Sequence, residues 1–208
     1  MIYLNLPNIT FINIVICEIL LLFIFLFTKI KWENRLIGDS GQRCLVTIDG
    51  VDFPIPEPTP FSKKWYSHKF EGPGIRYEIA ISIFNGWIVS YNGPFQCGAW
   101  PDRKVFKSLL IWKLAHEECV VADRGYKDTR RVCHPDMGTP EQKRAMEVAR
   151  ARHETVNGRL KNWESMKRVF RNNRDKHHLV FRSVLVIEQI KIQNGRPPFQ
   201  VDPVVDPI

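Results

Sequence analysis

Three carboxylates in this sequence occupy positions from which they could share metal ions. Asp49 closes the apolar run Cys44-Leu-Val-Thr-Ile-Asp49 and is followed by Gly50; Asp123 closes Cys119-Val-Val-Ala-Asp123 and is followed by Arg124-Gly125-Tyr126. Glu154 stands among cations in Arg150-Ala-Arg-His-Glu154-Thr-Val-Asn-Gly-Arg-Leu-Lys161. Mg²⁺ and Mn²⁺ are hard ions that prefer carboxylate and water oxygens to sulfur or imidazole. Two such ions about 3.5–4 Å apart can clamp both the attacking and the leaving oxygen of an in-line phosphoryl displacement. Each acid taken singly also has a plainer account: a polar residue at a strand end, or a helix-surface ion pair of Glu154 with Arg150 or Arg159.

The elements that must position these acids are readable from periodicity. An apolar strand ending in an acid delivers that acid to the edge of a sheet, and the pattern occurs twice. Over 141–170, Met146, Ala149, Val156, Leu160 and Trp163 recur at helical spacings, with His153 filling the gap, which predicts one long helix. Its other side carries Lys143, Arg144, Arg150, Arg152, Arg159, Lys161, Lys167 and Arg168, a strongly cationic surface. The alternating run 76–84, the Asn85-Gly86 turn and the run 87–91 predict a hairpin, so three antiparallel strands open the domain. Pro101-Asp102 predicts a helix start with Asp102 as its N-cap. Residues 127–140 lack periodicity and read as a loop. Residues 175–194 read as a helix stopped by Asn194-Gly195 and Pro197-Pro198.

A formal charge of +8 over 208 residues favours an anionic partner, either nucleic acid or an acidic lipid surface. Five scattered cysteines without a CxxC pair argue against a disulfide framework and a structural zinc site; Cys44 and Cys119 read as small buried hydrophobes. Residues 10–28 are apolar over close to the roughly 20 residues that a membrane-spanning helix needs. Asn13 and Glu18 count against a span, and the absence of Lys and Arg from residues 1–8 counts against a cleaved signal peptide. If the segment does span, Lys29, Lys31 and Arg35 would hold the remainder of the chain in the cytosol. The expected organisation is a hydrophobic N-terminal helix over 1–31, a catalytic domain over 32–199 and a loose tail over 200–208.

Three blocks, Cys44-Leu-Val-Thr-Ile-Asp-Gly-Val-Asp-Phe-Pro-Ile55, Val121-Ala-Asp-Arg-Gly-Tyr126 and Arg152-His-Glu-Thr-Val-Asn-Gly-Arg-Leu-Lys161, resemble the signature blocks of DDE-superfamily transposases of the PIF/Harbinger type. The segments 67–77 and 98–102 resemble the same group. The resemblance implies an α/β, RNase H-like fold with a mixed sheet flanked by helices. It implies two divalent cations, Mg²⁺ or Mn²⁺, with Asp49 bridging both and Asp123 and Glu154 each completing one. DNA would be the substrate, cut to leave a 3′-hydroxyl, and the nucleus the expected location. Asp102 matches an acid often found in this group and becomes a candidate accessory residue. Arg150, Arg152, Arg159 and Lys161 would contact phosphates, giving salt-dependent binding. Such transposases carry a DNA-binding segment ahead of the catalytic domain; here the apolar residues stand in that place, so a separate DNA-binding protein is an expected partner. Two other readings stay open: a catalytically idle, transposon-derived DNA-binding protein, and a membrane-anchored protein whose domain only resembles a nuclease.

Overall fold

The computed structural model describes residues 28–38, 41–127 and 130–199. The expected hydrophobic helix, apart from its last few residues, and the tail at 200–208 lie outside the described residues. Among the described residues no helix is long and apolar enough to cross a membrane. Arg35, expected to flank a span, belongs to the folded domain: its guanidinium makes a buried bidentate pair with Glu118 at 2.7 and 3.0 Å.

The sheet is mixed. Strand β1 (Cys44–Pro54) pairs antiparallel with β3 (Gly72–Ser82), which pairs antiparallel with β4 (Ile88–Gln96) and with the short β2 (Tyr66–Ser67). On its other side β1 runs parallel to β5 (Cys119–Val121), and β5 runs parallel to β6 (Val132–Cys133). The antiparallel opening is thus as expected, with β2 in addition, but β1 does not end at Asp49: the pairing with β3 carries it on to Pro54, so this acid stands within a strand. Strand β6 falls inside the stretch read as loop, because two residues are too few to show a period.

The helices are α1 (Asp102–Ser108), α2 (Pro140–Lys161), α3 (Glu164–Lys167) and α4 (His177–Gln193). They lie on both faces of the sheet. Alternation along β1 sends Val51 and Phe53 to one face, where with Ile75, Tyr77, Ile79 and Ile81 of β3 they meet Val156 and Leu160 of α2 and Phe181 and Leu185 of α4. Ile48, Ala80, Val89 and Val120 face the other way and meet Phe106 of α1 and Leu110. Cys44 and Cys119 are fully buried, as their apolar neighbours require.

Two helix expectations need correction. The long helix ends earlier than its apolar stripe suggests: α2 stops at Lys161, and the chain turns at Trp163 (ψ 123°) before the single turn of α3. Trp163 continues the stripe in spacing but packs on the core from outside the helix. Asp102 does not cap α1. It is the first helical residue, Pro101 takes the cap position, and the Asp102 carboxylate instead reaches Arg76 Nη1 at 3.0 Å. At the start of α2, Thr139 and Gln142 form a reciprocal capping box, with Pro140 as the first helical residue.

Candidate active site

The site is built where β1 and the chain leaving β5 run side by side. Thr47 pairs with Val121 in the parallel register. Two residues further along each chain stand Asp49 and Asp123, equivalent places on neighbouring strands that lie about 4.8 Å apart. A two-residue step keeps side chains on one face, so the two acids are delivered to the same side. Each is pinned by a glycine close behind it: Asp49 Oδ1 accepts the Gly50 N–H and Asp123 Oδ1 accepts the Gly125 N–H, both at 2.8 Å.

Any residue but proline could give those N–H groups, but space requires glycine. A Cβ on Gly50 would stand 2.5 Å from Asp102 Oδ1; a Cβ on Gly125 would stand 3.0 Å from Asp123 Oδ1 and 3.2 Å from Asp102 Oδ2. Asp102 therefore sits against both acidic turns, a third carboxylate beside Asp49 and Asp123. Burial pushes the Asp49 carboxyl above its ordinary value, with the Asp123 charge adding, while Lys69, the Gly50 amide and Arg150 oppose. Burial likewise raises Asp102, against the pull of Arg76 and Lys69.

Behind this group lies a buried ion pair. Arg76 grips Asp52 through Nε and Nη2 at 2.7 and 2.9 Å, and Ser67 Oγ donates to Asp52 at 2.6 Å. Burial opposes the Asp52 charge, but the bonds from Arg76 and Ser67 outweigh it and hold the carboxyl below its ordinary value. Glu78 sits opposite Gly50 on β3, 2% exposed; burial, with Asp102 and Asp49 adding, pushes its carboxyl up to about 8.

Helix α2 crosses this arrangement, and its polar contacts set its rotation. His153 Nε2 bonds Thr47 Oγ1 at 2.8 Å, and Asn157 Nδ2 donates to Asp49 Oδ2 at 3.2 Å. Burial drives the His153 pKa down to about 3, so the ring is neutral. With 153 and 157 turned to the sheet, 150 and 154 fall along the flank of the same face. Arg150 and Glu154 accordingly line a cavity of about 270 Å³ with Asp49, Glu147, Ala151 and His153. Glu154 is exposed there. Among the described residues no three acids, cysteines or histidines stand close enough to hold one ion.

The phosphate-contact candidates separate. Arg150 borders the cavity and Lys161 is exposed at the end of α2. Arg159 gives its guanidinium to the carbonyls of Arg196 and Pro197, tying α2 to the segment after α4. Arg152 is a correction. It is 1% exposed and donates to the carbonyls of Ser82, Ile83 and Phe199, so it serves the fold and is withdrawn from any phosphate. Sequence reasoning also misses Asn157 and Lys69 as site residues. Asn157 stands three residues after Glu154, a spacing that places both on one helix side; Lys69 falls in the segment 67–77, where no spacing links it to an acid.

The donor set fits a hard divalent cation. Around Asp49 stand carboxylate oxygens, the buried Asn157 Oδ1 and the buried His153 Nδ1, the last two without a hydrogen-bond partner. Among the described residues no thiol lines the cavity, and the Nε2 atom of His153 is taken by Thr47.

A sequence model for the DDE superfamily endonuclease family matches residues 48–188, and the chain belongs to that family. The matched stretch runs from just before Asp49 into α4 and contains Asp49, Asp102, Asp123, Glu154 and Asn157. No curated protein and no solved structure matches the chain.

Proposed function

We propose that this chain is a divalent-metal-dependent DNA endonuclease domain of a PIF/Harbinger-type transposase, with an RNase H-like fold, working at DNA in the nucleus. The sheet order β4-β3-β1-β5-β6, three antiparallel strands followed by two parallel ones, supports the fold reading. The observation that carries the function is the equivalent placement of Asp49 and Asp123, two residues past one register pair on adjacent parallel strands. Glu154, on the helix bonded to Asp49 through Asn157, supplies the third acid from across the cavity.

In this reading Asp49, Asp123 and Glu154 hold two Mg²⁺ or Mn²⁺ ions, and Asp102 is an accessory charge. When bound, such ions neutralise charge on the reacting phosphate and activate the attacking oxygen. The protein's own contributions are fixed before DNA arrives. Asn157 and Gly50 orient Asp49, Gly125 orients Asp123, and Arg76 holds Asp102. Arg150 and Lys161 take phosphates flanking the cut.

Incubating the chain with supercoiled plasmid and Mn²⁺ tests this. Nicking by the native sequence that is lost in Asp49→Asn supports the reading; no nicking with Mn²⁺ or Mg²⁺ removes it.

A second reading is a DNA-binding protein that no longer cuts. The exposure of Glu154 and the lack of a three-acid group among the described residues favour it. Salt-sensitive DNA binding without cleavage is its signature.

A further inference from the structure

Lys69 lies outside the three acidic blocks, yet its ammonium reaches the backbone beside Asp49. The residue follows β2, and its backbone N–H donates to Ser67 Oγ at 3.2 Å. Ser67 Oγ in turn donates to Asp52, which Arg76 holds. The turn bearing Lys69 is thereby stapled to the buried ion pair behind the site. From there the exposed lysine side chain extends inward, and Nζ donates to the carbonyl of Gly50, the residue directly after Asp49.

The charges around this position are unequal. Asp102 lies against the Gly50 and Gly125 turns, where the charges of Asp49 and Asp123 act on it, and Arg76 is committed to Asp52, Asp102 and the Trp100 carbonyl. Lys69 is the cation that most strongly offsets the burial of Asp49, ahead of Arg150. It also acts on Asp102 and Asp52. Its hold is a single hydrogen bond to a carbonyl at the end of a flexible four-carbon stem, unlike the forked grip of Arg76. A charge held that way can be exchanged.

We propose that Lys69 is the exchangeable counter-charge of the acid group: its ammonium balances Asp49 and Asp102 in the cation-free protein and gives way when a divalent cation binds. This role rests on the metal-dependent reading of the site. Lys69 then lowers the divalent affinity of the site, because the incoming cation must compete with a charge already present. It also keeps the cation-free protein folded against the repulsion of crowded carboxylates.

The test uses the full chain without DNA. Mn²⁺ affinity is measured by titration calorimetry, and thermal melting with and without saturating Mn²⁺, for the native sequence, Lys69→Met and Lys69→Arg. Lys69→Met is expected to bind Mn²⁺ several-fold more tightly, to melt lower than native without Mn²⁺ and to recover most of that loss with it. Lys69→Arg, which keeps the charge, is expected to follow the native sequence. If the native chain binds Mn²⁺ but Lys69→Met binds it equally or more weakly, or if Mn²⁺ fails to restore its melting, the counter-charge role is overturned while the metal site stands. If the native chain binds no Mn²⁺, both this proposal and the nuclease reading are overturned. Lys69→Met that melts as the native does without Mn²⁺ also counts against the proposal.

Discussion

Asn157 on α2 donates through Nδ2 to Asp49 Oδ2 on β1 at 3.2 Å, joining the helix that bears Glu154 to the first acidic strand. The bond lies across a sequence separation of 108 residues. It is one of the points at which the register of helix on sheet is decided by polar rather than apolar contact, alongside His153 with Thr47.

Replacing Asn157 by Leu removes a donor from a half-buried carboxylate and leaves the apolar stripe intact. Loss of such a bond costs about 1–3 kcal/mol when the partner is charged. Urea unfolding of Asn157→Leu is expected to show a midpoint lowered by that cost divided by an unchanged m-value, whereas an unshifted midpoint would mean that Asp49 finds another donor.

Arg152 and Lys161 give opposite expectations although both belong to the same basic helix. Arg152→Leu takes the guanidinium from the Ile83 and Phe199 carbonyls and leaves the Ser82 carbonyl with the Gly86 N–H alone, and a cost of about 3 kcal/mol is expected in unfolding experiments. Lys161→Ala is expected to stay within about 0.5 kcal/mol of native stability and to lower the salt slope of DNA binding by about one phosphate contact. A stable Arg152→Leu protein with a lowered salt slope would reverse the assignment of the two residues.

How much of the fold and site is legible in the sequence varies with the physics involved. Asp123 can be placed just past a strand end because its apolar run stops there, but Asp49 reads as an end only because Gly50 interrupts the apolar run: β1 continues through it to Pro54. Their equivalence cannot be read, since it depends on pairing Thr47 with Val121 across a long separation. Asp102 reads as a cap because Pro-Asp at a helix start has a strong local meaning; the competing attraction of Arg76 comes from another strand. The burial of Arg152, by contrast, has a local signal. It lies three residues after Ala149 and four before Val156, squarely within the apolar stripe, and the spacing that identifies the core also encloses it. The end of α2 is hidden because Trp163 keeps the helical spacing after the backbone has left the helix.

Glu78 makes a prediction about pH. Its carboxyl has an ordinary value of 4.5 and stands at about 8 in the fold. Between those values the native state holds a proton that the unfolded chain has released, so its contribution to stability falls as pH rises through that window. Glu78→Gln, which mimics the protonated form, is expected to be more stable than native above pH 8, on the order of a few kcal/mol, with the difference vanishing near pH 4. Thermal melts of both proteins from about pH 4.5 to 8.5 check it; parallel curves would show that Glu78 carries no proton in the fold.

The buried Asp52–Arg76 pair is expected to act in the opposite direction. A carboxyl held below its ordinary value stabilises the fold above the unfolded-state pKa, and that stability is lost as pH falls through the folded value. Asp52→Asn, measured by thermal melting, is therefore expected to destabilise at neutral pH and to converge on the native curve in strong acid. A constant difference at all pH values would contradict the ion-pair account.

The central claim is that Glu154 is the third acid of a working site, and its cavity supplies an internal control. Glu147 and Glu154 both line the space beside Asp49, two turns apart on the same helix. Mn²⁺-dependent plasmid nicking by Glu154→Gln and Glu147→Gln, with folding verified by melting, separates them. The account predicts that Glu154→Gln loses more than the roughly 10- to 100-fold typical of an outer-sphere change while Glu147→Gln stays close to native. Native-level nicking by Glu154→Gln would contradict it.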